Sequence, residues 1–266
     1  MMAIVDSPAR QFLAALGPGL PQPLAVVVFS AHHDASSVEI TGGSSPETIH
    51  DFGGFPAELY RLVYPAPGAP ELAREIEGLL AQHALEATVN PVRGFDHGAW
   101  IPLRLMFPAA DVPLVQVSID TARAPAHHVA LGSALRPLRE HGVLLIGSGG
   151  ATHNLGLYFR AGSRADDDVP EWVRSFAEWT AAAVAEGRLS DLERYREIAP
   201  FAPENHPTPE HFLPLFPVLG AAFEEEIGMR IHSSYDRGLL SLDAFAFGLD
   251  DWPGPVFPAA SQGPAV

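Results

Sequence analysis

The apolar positions of this chain change period several times, and each change marks an element. Leu24-Ala25-Val26-Val27-Val28-Phe29-Ser30 and Val143-Leu144-Leu145-Ile146 are unbroken branched runs, the pattern of strands buried on both faces. Val38-Glu39-Ile40-Thr41 reads as a short strand, and Leu114–Ile119 as a strand with Gln116 and Ser118 at alternate positions. Other segments follow the helical period. Pro70–Gln82 places Leu72, Ile76, Leu79 and Leu80 on one face, with charges opposite. Pro125–His141 offers Val129, Leu131, Leu135 and Leu138 to a core, with His127, His128 and His141 solvated; Glu171–Glu186 offers Trp172, Phe176, Trp179 and Val184. A shorter helix runs from Ser7, a suitable N-cap before Pro8, to Leu16. Ala99–Met106 and the charged segment Arg188–Ile198 complete the helical set, with a turn or two over Pro56–Leu62. Met229–Ser233 and Ser241–Phe247 alternate as a closing antiparallel pair. Strands separated by helices predict an α/β sheet.

Length and composition narrow the class. At 266 residues, 47% of them apolar, the chain can bury a large core. Neither a repeat nor a linker composition interrupts it, so residues 1–249 read as one domain followed by a Pro/Gly/Ala-rich tail, 250–266. No run of about 20 apolar residues is present, and the first residues do not form a secretory signal, so the expected location is cytoplasmic without a membrane partner. A formal charge of −16 argues against nucleic acid. Cysteine is absent, which excludes thiolate nucleophiles and Cys-rich zinc sites. Every basic side chain is arginine, which excludes Schiff-base chemistry and a Walker lysine.

The candidate chemistry therefore falls to histidine. His32 follows the first apolar run, His97 sits in Gly94-Phe95-Asp96-His97-Gly98, and His153 follows the run at 143–146 and its small residues Gly147-Ser148-Gly149-Gly150. The glycines suit a tight turn that approaches a ligand closely, and ligands collect at the carboxyl ends of strands in such sheets. Thr208 and Pro209 read as the start of a helix, with His211 in its first turn. Histidines with carboxylates and no thiolate favour Fe(II) or Zn(II). No short metal motif joins them; strand-end placement alone would let them converge. A serine hydrolase competes weakly, because Ile146 stands where a G-x-S-x-G elbow needs glycine. A non-enzymatic ligand-binding protein is the third reading.

Several loops together resemble the class III extradiol ring-cleavage dioxygenases, in particular their DOPA-4,5-dioxygenase-like branch, a family related to the beta subunit of protocatechuate 4,5-dioxygenase. They are Ser30-Ala31-His32, Ile49-His50-Asp51-Phe52-Gly53-Gly54-Phe55-Pro56, Tyr64-Pro65-Ala66-Pro67-Gly68, Phe95-Asp96-His97-Gly98, Gly147-Ser148-Gly149 to His153-Asn154-Leu155, and Pro207-Thr208-Pro209-Glu210-His211. The resemblance implies a three-layer α/β sandwich with a central, mostly parallel or mixed sheet and helices on both faces. It implies Fe(II), with Zn(II) able to take the same site, and cleavage of a catechol-type small molecule by O₂. A homo-oligomer is compatible with it. By resemblance His32 and His211 are metal ligands, His153 is the catalytic histidine that takes and returns a proton, His97 is a second active-site histidine that helps bind substrate or oxygen, and His50 and Asn154 line the substrate pocket. The family begins with a strand ending in a His-Gly-Ser-Pro ligand motif, and this chain starts at Met1-Met2-Ala3, where that motif would just have finished. The resemblance therefore implies that the chain as given lacks that strand and ligand, through a late start or a lost ligand, and binds metal poorly; full metal occupancy would instead point to His33 or His50 as the replacement donor. A metal-poor relative that only binds aromatics is the alternative.

Overall fold

The apolar run at 25–29 becomes the hub of a sheet. The computed structural model describes residues 2–162 and 165–249, so the tail at 250–266 lies outside the described residues. Helix α1 (Pro8–Gly19) leads into β1 (Ala25–Asp34) and β2 (Val38–Thr41). Then come α2 (Pro70–Gln82), β3 (Ala87–Asn90), α3 (His97–Met106) and β4 (Leu114–Ile119). A helical break at Arg136, ahead of Pro137, divides α4 (Pro125–Leu135) from α5 (Pro137–Glu140), before β5 (Val143–Ser148). The second half is mostly helical: α6 (Leu155–Arg160), α7 (Glu171–Ala185), α8 (Leu189–Glu193), α9 (Tyr195–Ile198), α10 (Ala202–Asn205) and α11 (Leu215–Ala221). It closes with β6 (Met229–His232), β7 (Tyr235–Asp236), β8 (Leu240–Ser241) and β9 (Ala244–Ala246); β6 pairs with β9 and β7 with β8, both antiparallel.

The main sheet has the order β3-β2-β4-β1-β5. β1 runs parallel to both β4 and β5, β2 runs parallel to β3, and β2 and β4 are antiparallel. Alternate side chains of β1 feed two cores. Val26 and Val28 pack with Phe12 and Leu16 of α1 and Trp100, Leu103 and Met106 of α3. Val27 and Phe29 pack with Ile76 and Leu80 of α2 and Leu131 and Leu135 of α4. Helices thus cover both faces, giving three layers. A third cluster, Phe176, Leu192, Tyr195, Phe212 and Phe216, anchors the helical half.

Departures from the predicted pattern include four with a clear physical reason. β1 continues through Ala31-His32-His33-Asp34, so His32 lies within the strand. β5 is an edge strand with only Leu145 buried, because an apolar run does not distinguish an edge position from a central one. His128, expected in solvent, is fully buried on α4, where its Nε2 accepts the Asp120 N–H at 3.1 Å. The segment from Glu210 to Pro214 is a series of turns, and the helix begins only at Leu215, so His211 lies in a turn rather than a first helical turn.

Candidate metal and acid–base site

Register brings the site together. Ser30 of β1 sits opposite Ser148 of β5, so the carboxyl ends of the two strands open side by side. His32 projects from the β1 end. Beyond β5 the chain turns through Gly149 and Gly150 to His153, whose N–H donates to the Asn205 carbonyl at 2.9 Å. The glycines have a different purpose from the ligand approach their composition predicts. The Gly150 N–H donates to the His211 carbonyl at 2.9 Å, and a Cβ on Gly149 or Gly147 would collide with the backbone of His211 or Pro214. Small residues let the 209–214 turns lie directly on the end of β5, and this places His211 beside His153.

His97 is the first residue of α3. Asp96 caps that helix through Ala99 N–H at 3.2 Å and accepts a hydrogen bond from Ser30 Oγ at 2.7 Å. A side chain on Gly98 would strike Ser30 Oγ and crowd His32, so the start of α3 can press against the end of β1. The four histidines form a chain of ring contacts. Centroids are 3.9 Å apart for His32–His97, 5.0 Å for His32–His211 and 3.3 Å for the stacked His153–His211 pair.

Two donor groups result: His32 with Asp51 and His97, and His153 with Glu210 and His211; within each, the candidate ligand atoms lie within 4.8 Å of one another. Asp51 and Glu210 were not singled out from the sequence, although each adjoins a histidine, His50 and His211. Nitrogen and carboxylate donors without thiolate suit Fe(II) or Zn(II). Burial and the neighbouring imidazoles His153 and His32 push the His211 pKa down to about 2, and burial pushes His153 down to about 4. Burial, then His97, lowers His32 as well. These three rings are therefore neutral at pH 7, the form that ligates a metal or accepts a proton. Burial alone would raise Asp51, but the close imidazole and the backbone N–H of His97 override it and hold the carboxyl at about 2.

Beside His153 opens a cleft of about 490 Å³, lined by Asn154, Leu157, Arg160, Pro207, Thr208 and Glu210 among others. Asn154 lines it but its amide is engaged: Oδ1 accepts the Leu157 N–H at 3.0 Å, capping α6, and Nδ2 donates to the Glu204 carbonyl at 2.6 Å. His50 sits behind an aromatic wall, its ring against Phe52, Tyr60 and Trp100 and its Nε2 2.9 Å from the Leu62 carbonyl oxygen. Phe52 meets the His97 ring edge-on at 5.3 Å. His33 is buried, with Nε2 2.9 Å from Glu39 Oε1. Among the described residues neither His33 nor His50 belongs to a donor group.

Residues 4–243 match the family described as "Catalytic LigB subunit of aromatic ring-opening dioxygenase". A 4,5-DOPA dioxygenase extradiol of Beta vulgaris is 40% identical over 251 residues, 93% of this chain and 92% of that one. The protein of the same description from Escherichia coli K12 is 43% identical over 211 residues, 77% of this chain and 75% of that one. A crystal structure of an E. coli K12 protein described as uncharacterized superposes with a TM-score of 0.76 at 33% identity, covering 91% of this chain and 93% of that one.

Proposed function

The chain belongs to the LigB family of aromatic ring-opening dioxygenases, and from that premise we propose that it cleaves a catechol-type ring beside its hydroxyls with O₂. The observation that carries this reading is the convergence of His32, His97, His153 and His211 at the carboxyl ends of β1 and β5. His32 and His211, whose rings meet at 5.0 Å although they fall in different donor groups, would hold the metal, each bringing a carboxylate and a further histidine of its own group beside it. Fe(II) held there would supply Lewis acidity and a redox electron for reaction with O₂; Zn(II) would suit the same donors without redox capacity.

The protein's own groups account for the remaining steps. His153, neutral because burial depresses its pKa, accepts a proton from a catechol hydroxyl and later returns it. His97 lies against His32 with its Nε2 left to the site, where it can hold a substrate proton and so stabilise charge developing on oxygen. Phe52 forms an apolar wall for the ring, and His50 acts on substrate by holding that wall in place. Asn154 fixes the first turn of α6 beside His153 and so shapes the substrate cleft. Net cleavage consumes one catechol and one O₂ and puts both oxygen atoms into the opened product, a muconic semialdehyde-type acid, so no external reductant is needed.

The test is anaerobic loading with Fe(II), followed by addition of a substituted catechol and air. A yellow ring-opened product in the intact chain, absent from His32→Ala, is the expected result. No product from a chain shown to retain iron would remove the proposal.

A further inference from the structure

We propose that Asp51 is a positioning residue that sets the tautomer of two imidazoles at once, holding Nδ1–H of His97 and of His32 toward itself and leaving both Nε2 atoms to the site. Its purpose rests on the ring-cleavage reading above; its geometry does not. Oδ1 of Asp51 accepts the backbone N–H of His97 at 3.0 Å and lies 2.9 Å from Nδ1 of the same residue. Oδ2 lies 3.6 Å from Nδ1 of His32. The backbone bond anchors the carboxylate to the first residue of α3, where the helix N-terminus also favours a negative charge. Asp51 therefore cannot swing away without giving up a hydrogen bond that is independent of either ring.

An ionised carboxylate only accepts hydrogen bonds. A neutral imidazole whose Nδ1 faces it is favoured in the Nδ1–H form, with its lone pair on Nε2. The ring contact from His97 lies off the line of a straight hydrogen bond, since its Nδ1 has no well-aligned partner; the carboxylate acts on that ring as a close charge more than as an ideal acceptor. The two rings are only 3.9 Å apart by centroid, and one carboxylate serves both. Without it, each ring is free to turn the wrong nitrogen to the site. The effect is the one an outer carboxylate has on a metal-bound histidine, fixing ring orientation and raising basicity. Asp96, the other acid at this helix end, meets Ala99 N–H and Ser30 Oγ, and so supports the backbone instead of the rings.

The test uses the metal-free full chain with ¹⁵N-labelled histidine, reading ring-nitrogen shifts by NMR; His97→Gln and His32→Gln each remove one set of signals and thereby assign it. In the wild type both rings are expected as Nδ1–H, with unprotonated Nε2. Asp51→Ala is expected to move both toward the Nε2–H form that free imidazole prefers, and to weaken zinc binding, measured by calorimetry, about 10- to 100-fold. Asp51→Asn, whose amide oxygen still accepts, should fall between. Nε2–H rings in the wild type would overturn the proposal, and this result needs no Asp51 variant to fold. Unchanged shifts in Asp51→Ala would also overturn it. So would complete loss of zinc to the level of His211→Ala, which would make Asp51 a ligand. Correct tautomers in a chain without ring-cleaving activity would leave the positioning role standing and remove the reaction instead.

Discussion

At the scale of single residues, the stacked pair His153–His211 separates two roles. His211 has the more depressed pKa, about 2 against about 4, and is the ring held from behind by the Gly150 N–H through its own carbonyl. Replacing it with Ala is expected to abolish stoichiometric iron binding. His153→Ala should lower ring cleavage by about 10²-fold or more, the scale of a lost general acid–base group, while costing less iron than His211→Ala. Iron content by elemental analysis, read beside turnover, distinguishes them; the reverse order would exchange the roles. The sequence shows His32, His97, His153 and His211 because each stands in a loop or strand end with small neighbours. It does not show Asp51 or Glu210 as partners, because their adjacency to the site histidines exists only after loops distant in sequence meet. Nor does it show that His50 and Asn154 spend their polar atoms on the Leu62 and Glu204 carbonyls.

At the scale of elements, the site depends on backbones that touch. Gly132 of α4 and Gly220 of α11 face each other's helix: a Cβ on Gly132 would collide with the Pro217 carbonyl, and one on Gly220 with the Val129 carbonyl. α11 follows directly from the turns that carry His211, so this crossing sets how far those turns stand from β5. Gly132→Ala is expected to destabilise the fold by about 1–3 kcal/mol, the usual cost of overpacking, read as a lower urea midpoint with unchanged slope. An unchanged midpoint would mean that the helices have room to separate. Asp96→Ala is expected to lower the urea midpoint further. It removes the cap of α3 and leaves Ser30 and Gln116 donors unpaired in the core, where each unmet donor costs about 1–3 kcal/mol. Long periodic elements such as Pro70–Gln82 and Leu114–Ile119 are legible to the residue. The end of β1 is not, because His32 and His33 are polar and only pairing to β4 shows that the strand continues to Asp34. The place of β5 at the sheet edge is equally hidden, since strand order is a long-range property.

At the scale of the whole molecule, buried neutral histidines tie stability to pH. Burial pushes both His128 and His206 down to about 4, and both are fully buried, away from solvent and outside the donor groups. In the unfolded chain the same rings take a proton near their ordinary value of about 6.5. Between those values the unfolded state binds more protons, so stability is full above pH 6.5 and falls as pH drops toward 4. The slope is about 1.4 kcal/mol per pH unit for each ring. Urea melts of the metal-free protein across that window should show the decline, and His128→Asn should flatten part of it; a level profile would contradict the burial of these rings. No helix among the described residues is long and apolar enough to cross a membrane. The chemistry expected of the whole molecule is ring opening with dioxygen where four histidines converge in this family fold. Its most direct measurement is mass spectrometry of the product formed by the Fe(II)-loaded chain from a catechol under isotopically labelled O₂. Both labelled atoms in one ring-opened product are expected; retained iron and bound catechol with no labelled product would contradict the claim and leave a protein that only binds aromatics.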